Sequence, residues 1–202
     1  MAGVNNPIIN NMNQWPNAAF DTVVESLREK LAMLPWLERS FGRSYRLPKE
    51  RTEGTVILPH YYIGPGNNGE GEYQTMEPND RLKSMSFIMG DDDAFTPIGA
   101  EPFAQIQRWT KPIRLIFFVN YERIFTQDAI GEKYPFGELL LQDVQNILWK
   151  FPGFIFTGYT SESMAAVYEG FDISETQNRL LYYPYGAFRI NGELSFDVNC
   201  IP

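Results

Sequence analysis

The segment Ile113–Tyr121, IRLIFFVNY, constrains this chain more than any other stretch. β-Branched and aromatic residues dominate it and Pro112 bounds it, which is the composition of a strand. It is strand-length and far short of the ~20 apolar residues that a membrane span needs, and Arg114 interrupts it early. Side chains alternate across a strand, so a nearly continuous apolar run predicts burial on both faces and a central place in a sheet.

Two helices are legible around it. Phe20, Val23, Val24, Leu27, Leu31 and Leu34 recur at steps of three, one, three, four and three, which puts them on one helical face. Asn17 after Pro16 is the expected N-cap. Asp21 and Glu25 stand near the positive end of the helix dipole, with Arg28 and Lys30 further on. Pro35 ends or kinks this helix, and Trp36, Leu37 and Phe41 predict a short second helical piece up to about Gly42. The other main helix is predicted from about Phe136 to Lys150, with Leu140, Val144, Ile147 and Leu148 on one stripe and Pro152-Gly153 as its stop signal.

Further strands are predicted at Thr55–Ile63, where Pro59 implies an edge or a bulge, at Leu82–Met89 and at Phe154–Tyr159. Gly64–Gly71 is a turn-forming loop, and 94–111 is ambiguous between loop and a short helix over Phe103–Trp109. Leu180–Tyr183 is expected to begin a closing sheet segment. In Ala187–Cys200, Asn191-Gly192 is the strongest two-residue hairpin signal of the chain, flanked by alternating Phe188 and Ile190 and then Leu194, Phe196 and Val198. The fold class expected is α+β: a mostly antiparallel sheet with two main helices packed on one face and a closing C-terminal β-hairpin. Residues 1–17, with six asparagines and two prolines, form a polar N-terminal arm; 18–202 form a single domain with a loop-rich insertion around 64–111.

Composition narrows the function. Among 202 residues there is one His and one Cys, which excludes an intrachain disulfide framework and the usual zinc sites. With 17 basic and 25 acidic residues the net charge is -8, which argues against a surface that clamps nucleic-acid phosphates. The N-terminus has no basic region followed by an apolar one, so no signal peptide is expected; the product reads as cytosolic and Cys200 as a reduced thiol. Lone His60 reads as an ordinary, partly buried residue.

Three groups stand out as candidate site residues. Arg39, Arg43, Arg46, Lys49 and Arg51 form a basic cluster, read either as a solvated connection or as an ion-pairing patch for an acidic neighbour. Asp91, Asp92 and Asp93 read as a charged turn; as an alternative, Asp91 and Asp93 are the carboxylates of a metal-dependent enzyme holding Mg²⁺ or Mn²⁺. Tyr182, Tyr183 and Tyr185 are candidate aromatic anchors of an interface, or of a monomeric protein-binding module. No catalytic residue, metal ligand or cofactor is assigned, and the chain is not expected to be an enzyme.

The element order, the length, the polar arm, and the late helix followed by YPYGAFRINGELSFDVNC resemble the tail terminator and tail-completion proteins of tailed bacteriophages over about residues 17–200. They are similar also to the neck and ring proteins that join capsid to tail. The resemblance implies a structural virion protein, assembled in the host cytoplasm, that forms a homo-oligomeric ring, commonly a hexamer. It implies tail-tube or neck and portal proteins as partners, DNA passing through the lumen without tight binding, and no membrane. The basic cluster and Asp91–Asp93 are then candidate opposite faces of a subunit contact.

Overall fold

A computed structural model describes residues 4–5, 18–52, 54–64, 71–90, 96–98, 106–125, 136–161, 163–173 and 183–199. In chain order the elements are β1 (Val4–Asn5), α1 (Ala18–Leu31), β2 (Arg39–Arg51), β3 (Gly54–Gly64), β4 (Glu72–Thr75), β5 (Ser84–Gly90), β6 (Thr96–Ile98), β7 (Ile106–Asn120), α2 (Tyr121–Ile124), α3 (Phe136–Leu148), β8 (Phe154–Thr160), α4 (Met164–Val167) and β9 (Tyr185–Asn199). The strands line up as β4-β3-β2-β5-β7-β9-β8, with β1 on β2 and β6 on β7. Among these pairs β1–β2 and β2–β5 are parallel and the rest antiparallel. The fold is the expected α+β arrangement, and the IRLIFFVN run lies in β7, between β5 and β9.

β7 sorts its side chains onto two cores, as its alternation requires. Ile113, Leu115, Phe117 and Val119 face α1 and α3, where they meet Phe20, Val24, Leu27 and Leu31 of the first helix and Leu140, Val144 and Leu148 of the second. Ile116 and Phe118 face the other way, onto Met164 and Val167 of α4, Tyr168, and Phe41, Tyr61 and Met85. The two main helices thus share one face. Trp36 closes that layer by donating its Nε1–H to Asp143 Oδ2 at 3.1 Å, and its ring packs on Phe117 and Phe188.

In the second core Tyr168 is wholly buried against Phe87, and its hydroxyl has no hydrogen-bond partner among the described residues. Burial pushes its phenol pKa up, so the group stays neutral. Tyr168→Phe is expected to raise stability by about 1 kcal/mol, because it removes an unsatisfied buried hydroxyl with little change of shape; urea denaturation reads the gain.

Several sequence expectations are corrected. Arg39–Arg51 is a strand, β2, and not a solvated connection; the helical piece expected up to Gly42 is absent because the chain is already extended from Arg39. β2 changes partner along its length: Arg39–Ser44 pair with β5, and Tyr45–Arg51 pair with β3. Ile106–Trp109 is the start of β7 rather than helix. The 64–111 stretch is less loop-rich than expected: besides the strand expected at Leu82–Met89, found as β5, it holds β4 and β6, and β5 is buried along its whole length between β2 and β7. Pro59 sits inside β3, just before the first residue, His60, that pairs with β4.

The closing antiparallel pair is β8 with β9, and Asn191-Gly192 is not its turn. β9 runs unbroken from Tyr185 to Asn199, and both residues lie mid-strand. Asn191 pairs with Arg114 and Gly158, and Gly192 with Ile113 and Phe156. Phe188, Ile190, Leu194 and Phe196 are all even-numbered, so one continuous strand puts them on the same helix-facing core. Gly192 is there for space: a Cβ would stand 2.8 Å from the Ile155 carbonyl oxygen and nearer still to the Phe154 ring. Leu180–Tyr182, the N-cap Asn17, most of the polar arm, and Cys200 lie outside the described residues.

Candidate interaction surface

β2 disperses the basic cluster: alternation turns Arg46 away from its odd-numbered neighbours, and the register shift between Ser40 and Arg43 sets Arg39 on the face opposite Arg43. Arg43 turns toward the helices and is buried; its Nη1 donates to Asp21 Oδ1 at 3.0 Å, and its guanidinium lies over the rings of Phe20 and Tyr45. Arg39 is half-buried on the other face, in a hollow with Glu38, Phe41, Tyr61 and Met85, and Arg46 reaches toward Gly170. Lys49 and Arg51, near the end of β2, both reach Glu77 Oε1, at 3.3 and 2.9 Å. Arg43, Lys49 and Arg51 are each paired with a carboxylate of the same subunit, and the five cations do not form one patch.

Beneath Arg43 is a buried group of charges that the sequence did not reveal. Lys111 is fully buried with its Nζ 4.9 Å from the Phe20 ring centroid, and Asp21 is also buried. Burial raises the Asp21 pKa above its ordinary value; the charge and hydrogen bond of Arg43, and the charge of Lys111, pull it down by less. Gly90 makes the room, because a Cβ there would meet Lys111 Cε at 3.0 Å and the Phe20 ring at 3.2 Å.

Asp91, Asp92, Asp93 and Tyr182 lie outside the described residues. Tyr183 is half exposed, joined by a cis peptide bond to Pro184, while Tyr185 stacks on Phe118 in the second core. These two rings therefore serve different surroundings. His60 is buried in β3; its Nδ1 donates to the Leu58 carbonyl at 2.9 Å, and Thr75 Oγ1 lies 3.0 Å from Nε2. The Nε2 contact ties β3 to β4, while the Nδ1 bond stays within β3. Among the described residues no three His, Cys, Asp or Glu side chains gather as metal ligands, and no helix is long and apolar enough to cross a membrane.

The distinctive surface is at the other end of the sheet. β8 is the last strand of the order, and among the described residues its outer edge pairs with no strand. Ile155 and Phe156 are 54% and 37% exposed on it, and Trp149, in the turn that leads from α3, is 78% exposed. Edge strands are ordinarily guarded by charge, proline, a bulge or a covering element; β8 has a register shift between Phe156 and Gly158. β8, FIFTGYT, contains neither a charged residue nor a proline. The missing charge was the sequence signal; that β8 is an edge came only from the strand order. Comparison with protein-family models and with curated proteins returns no match.

Proposed function

We propose that this chain is a structural subunit that assembles with copies of itself, a ring-forming tail terminator or head-tail connector of a phage-like particle. The observation that carries this reading is the charge-free apolar strand β8, an edge among the described residues, with Ile155 and Phe156 exposed. An apolar edge strand has unpaired N–H and C=O groups and a row of side chains that a neighbour can cover. β4, at the opposite end of the strand order, is a second and different edge among the described residues. A contact between two unlike patches is heterologous, and it closes into a ring when the rotation per subunit allows. The net charge of -8 suits a ring through which DNA slides, because an acidic wall does not condense phosphate. On this reading the partners are further copies, tail-tube or neck and portal proteins, and the finished protein resides in the virion.

Native mass spectrometry of the full chain tests the reading. The expected result is a closed oligomer, with a hexamer the size that the resemblance implies. Ile155→Lys with Phe156→Lys is expected to yield a folded monomer, with circular dichroism unchanged. A wild-type chain that stays monomeric at high concentration, with a tail-tube partner present, overturns it.

A further inference from the structure

α1 and α3 stand apart over the sheet and leave a groove of about 1080 Å³ between them. Val23 and Met33 line one wall, Ile147 and Phe151 the other, and Phe196 of β9 the floor. α1 has 14 residues, so the groove runs along about 21 Å at 1.5 Å per residue. Its mean cross-section is then about 50 Å², roughly half that of a helix 10–12 Å across. A single acyl chain would leave most of that space empty, whereas a helix sunk to its midline fills it.

The charge of the groove is opposite to that of the whole protein. Lys30 on the α1 side and Lys150 beyond α3 rim it, and Arg108 holds Asp197 through Nε at 2.9 Å and Nη2 at 3.3 Å. Three cations thus meet one carboxylate on a chain whose net charge is -8. The hydrogen bond to Asp197 raises the Arg108 pKa and lowers that of Asp197, so this pair stays ionised. That leaves the two lysines facing whatever enters. A second copy offers no matching helix among the described residues, because α1 and α3 both spend their apolar stripes on their own core.

We infer that this groove docks an amphipathic helix of a different protein, about four turns long, whose apolar face lies on Val23, Ile147 and Phe196 and whose flanking carboxylates meet Lys30 and Lys150. The docking is independent of the β8 edge and does not require the ring.

Fluorescence anisotropy with the full chain tests it, using two labelled 15-residue synthetic helices that share a leucine face and carry either Glu or Lys beside it. The Glu helix is expected to bind at least about tenfold more tightly than the Lys helix. Lys30→Glu with Lys150→Glu is expected to reverse that order. Ser26→Trp, which fills the groove from an exposed position, is expected to abolish binding while Ile155→Lys/Phe156→Lys leaves it intact. Failure of both helices to bind overturns the inference, as does an unchanged preference in the double lysine variant. A groove closed by a second copy, seen as an oligomer that Ser26→Trp dissociates, overturns it too.

Discussion

Gly192→Ala is expected to lower stability by about 2–3 kcal/mol, the upper part of what one inserted methyl does in a packed interior. The position is mid-strand in β9, with ladder partners on both sides. The ring of Phe154 stands closest to where the Cβ would be, and the Ile155 carbonyl oxygen is 2.8 Å from it. A side chain there pushes β8 off β9 and loosens the pairing that carries the apolar edge. Phe154→Leu in the same chain is expected to recover part of the loss, because the ring then gives way while the carbonyl does not. Equilibrium urea unfolding of the two single variants and the double variant measures this coupling. If Asn191-Gly192 were a hairpin turn, alanine would be penalised through its backbone dihedrals and truncating Phe154 would restore nothing. Gly192 is not among the glycines of positive φ, whereas Gly153, in the turn before β8, is, at 82°.

The same residues show how far the sequence could be read. The helix of Phe20, Val24, Leu27 and Leu31 was legible because a 3.6-residue period needs only local information. β7 was legible because its apolar density admits no other place than the sheet centre. Asn191-Gly192 was misread because a glycine required by a neighbour's ring looks, in sequence, the same as a glycine required by a turn. The evidence against a turn was nonetheless present: the apolar positions keep the same parity on both sides of it, as one strand demands. β2 was missed for a related reason. Its Arg and Lys residues imply solvent, yet Arg43 is buried against Asp21 and two rings, and a buried cation is recognisable only with its partner in view. The β8 edge and the groove depend on strand order and helix spacing, which are set by contacts distant in sequence. The charge-free FIFTGYT segment was the trace they left.

Arg43→Ala is expected to have the largest effect of all, about 3–5 kcal/mol of lost stability, the magnitude for breaking a buried ion pair from one side. The arginine offsets the charge of Asp21 and fills the space between Phe20 and Tyr45. Its loss leaves the carboxylate buried with Lys111 as the remaining cation that faces it. The pH dependence identifies the cause. Asp21 already has a raised pKa in the folded protein because burial outweighs the attraction of Arg43, so the native state holds its proton more firmly than the unfolded chain does. Stability from that difference is present below the unfolded aspartate value of about 3.9 and is lost as the pH rises through the folded value. Without Arg43 the folded value moves higher still, and the loss continues over a wider range. The gap in stability between the wild-type chain and Arg43→Ala is therefore expected to be smallest near pH 4 and to widen toward neutrality, as measured by urea unfolding across that range. Adding Asp21→Asn to Arg43→Ala is expected to flatten the profile, because no buried carboxylate then remains to ionise. A gap independent of pH would assign the loss to the packing of Phe20 and Tyr45 on the guanidinium and not to the charge of Asp21.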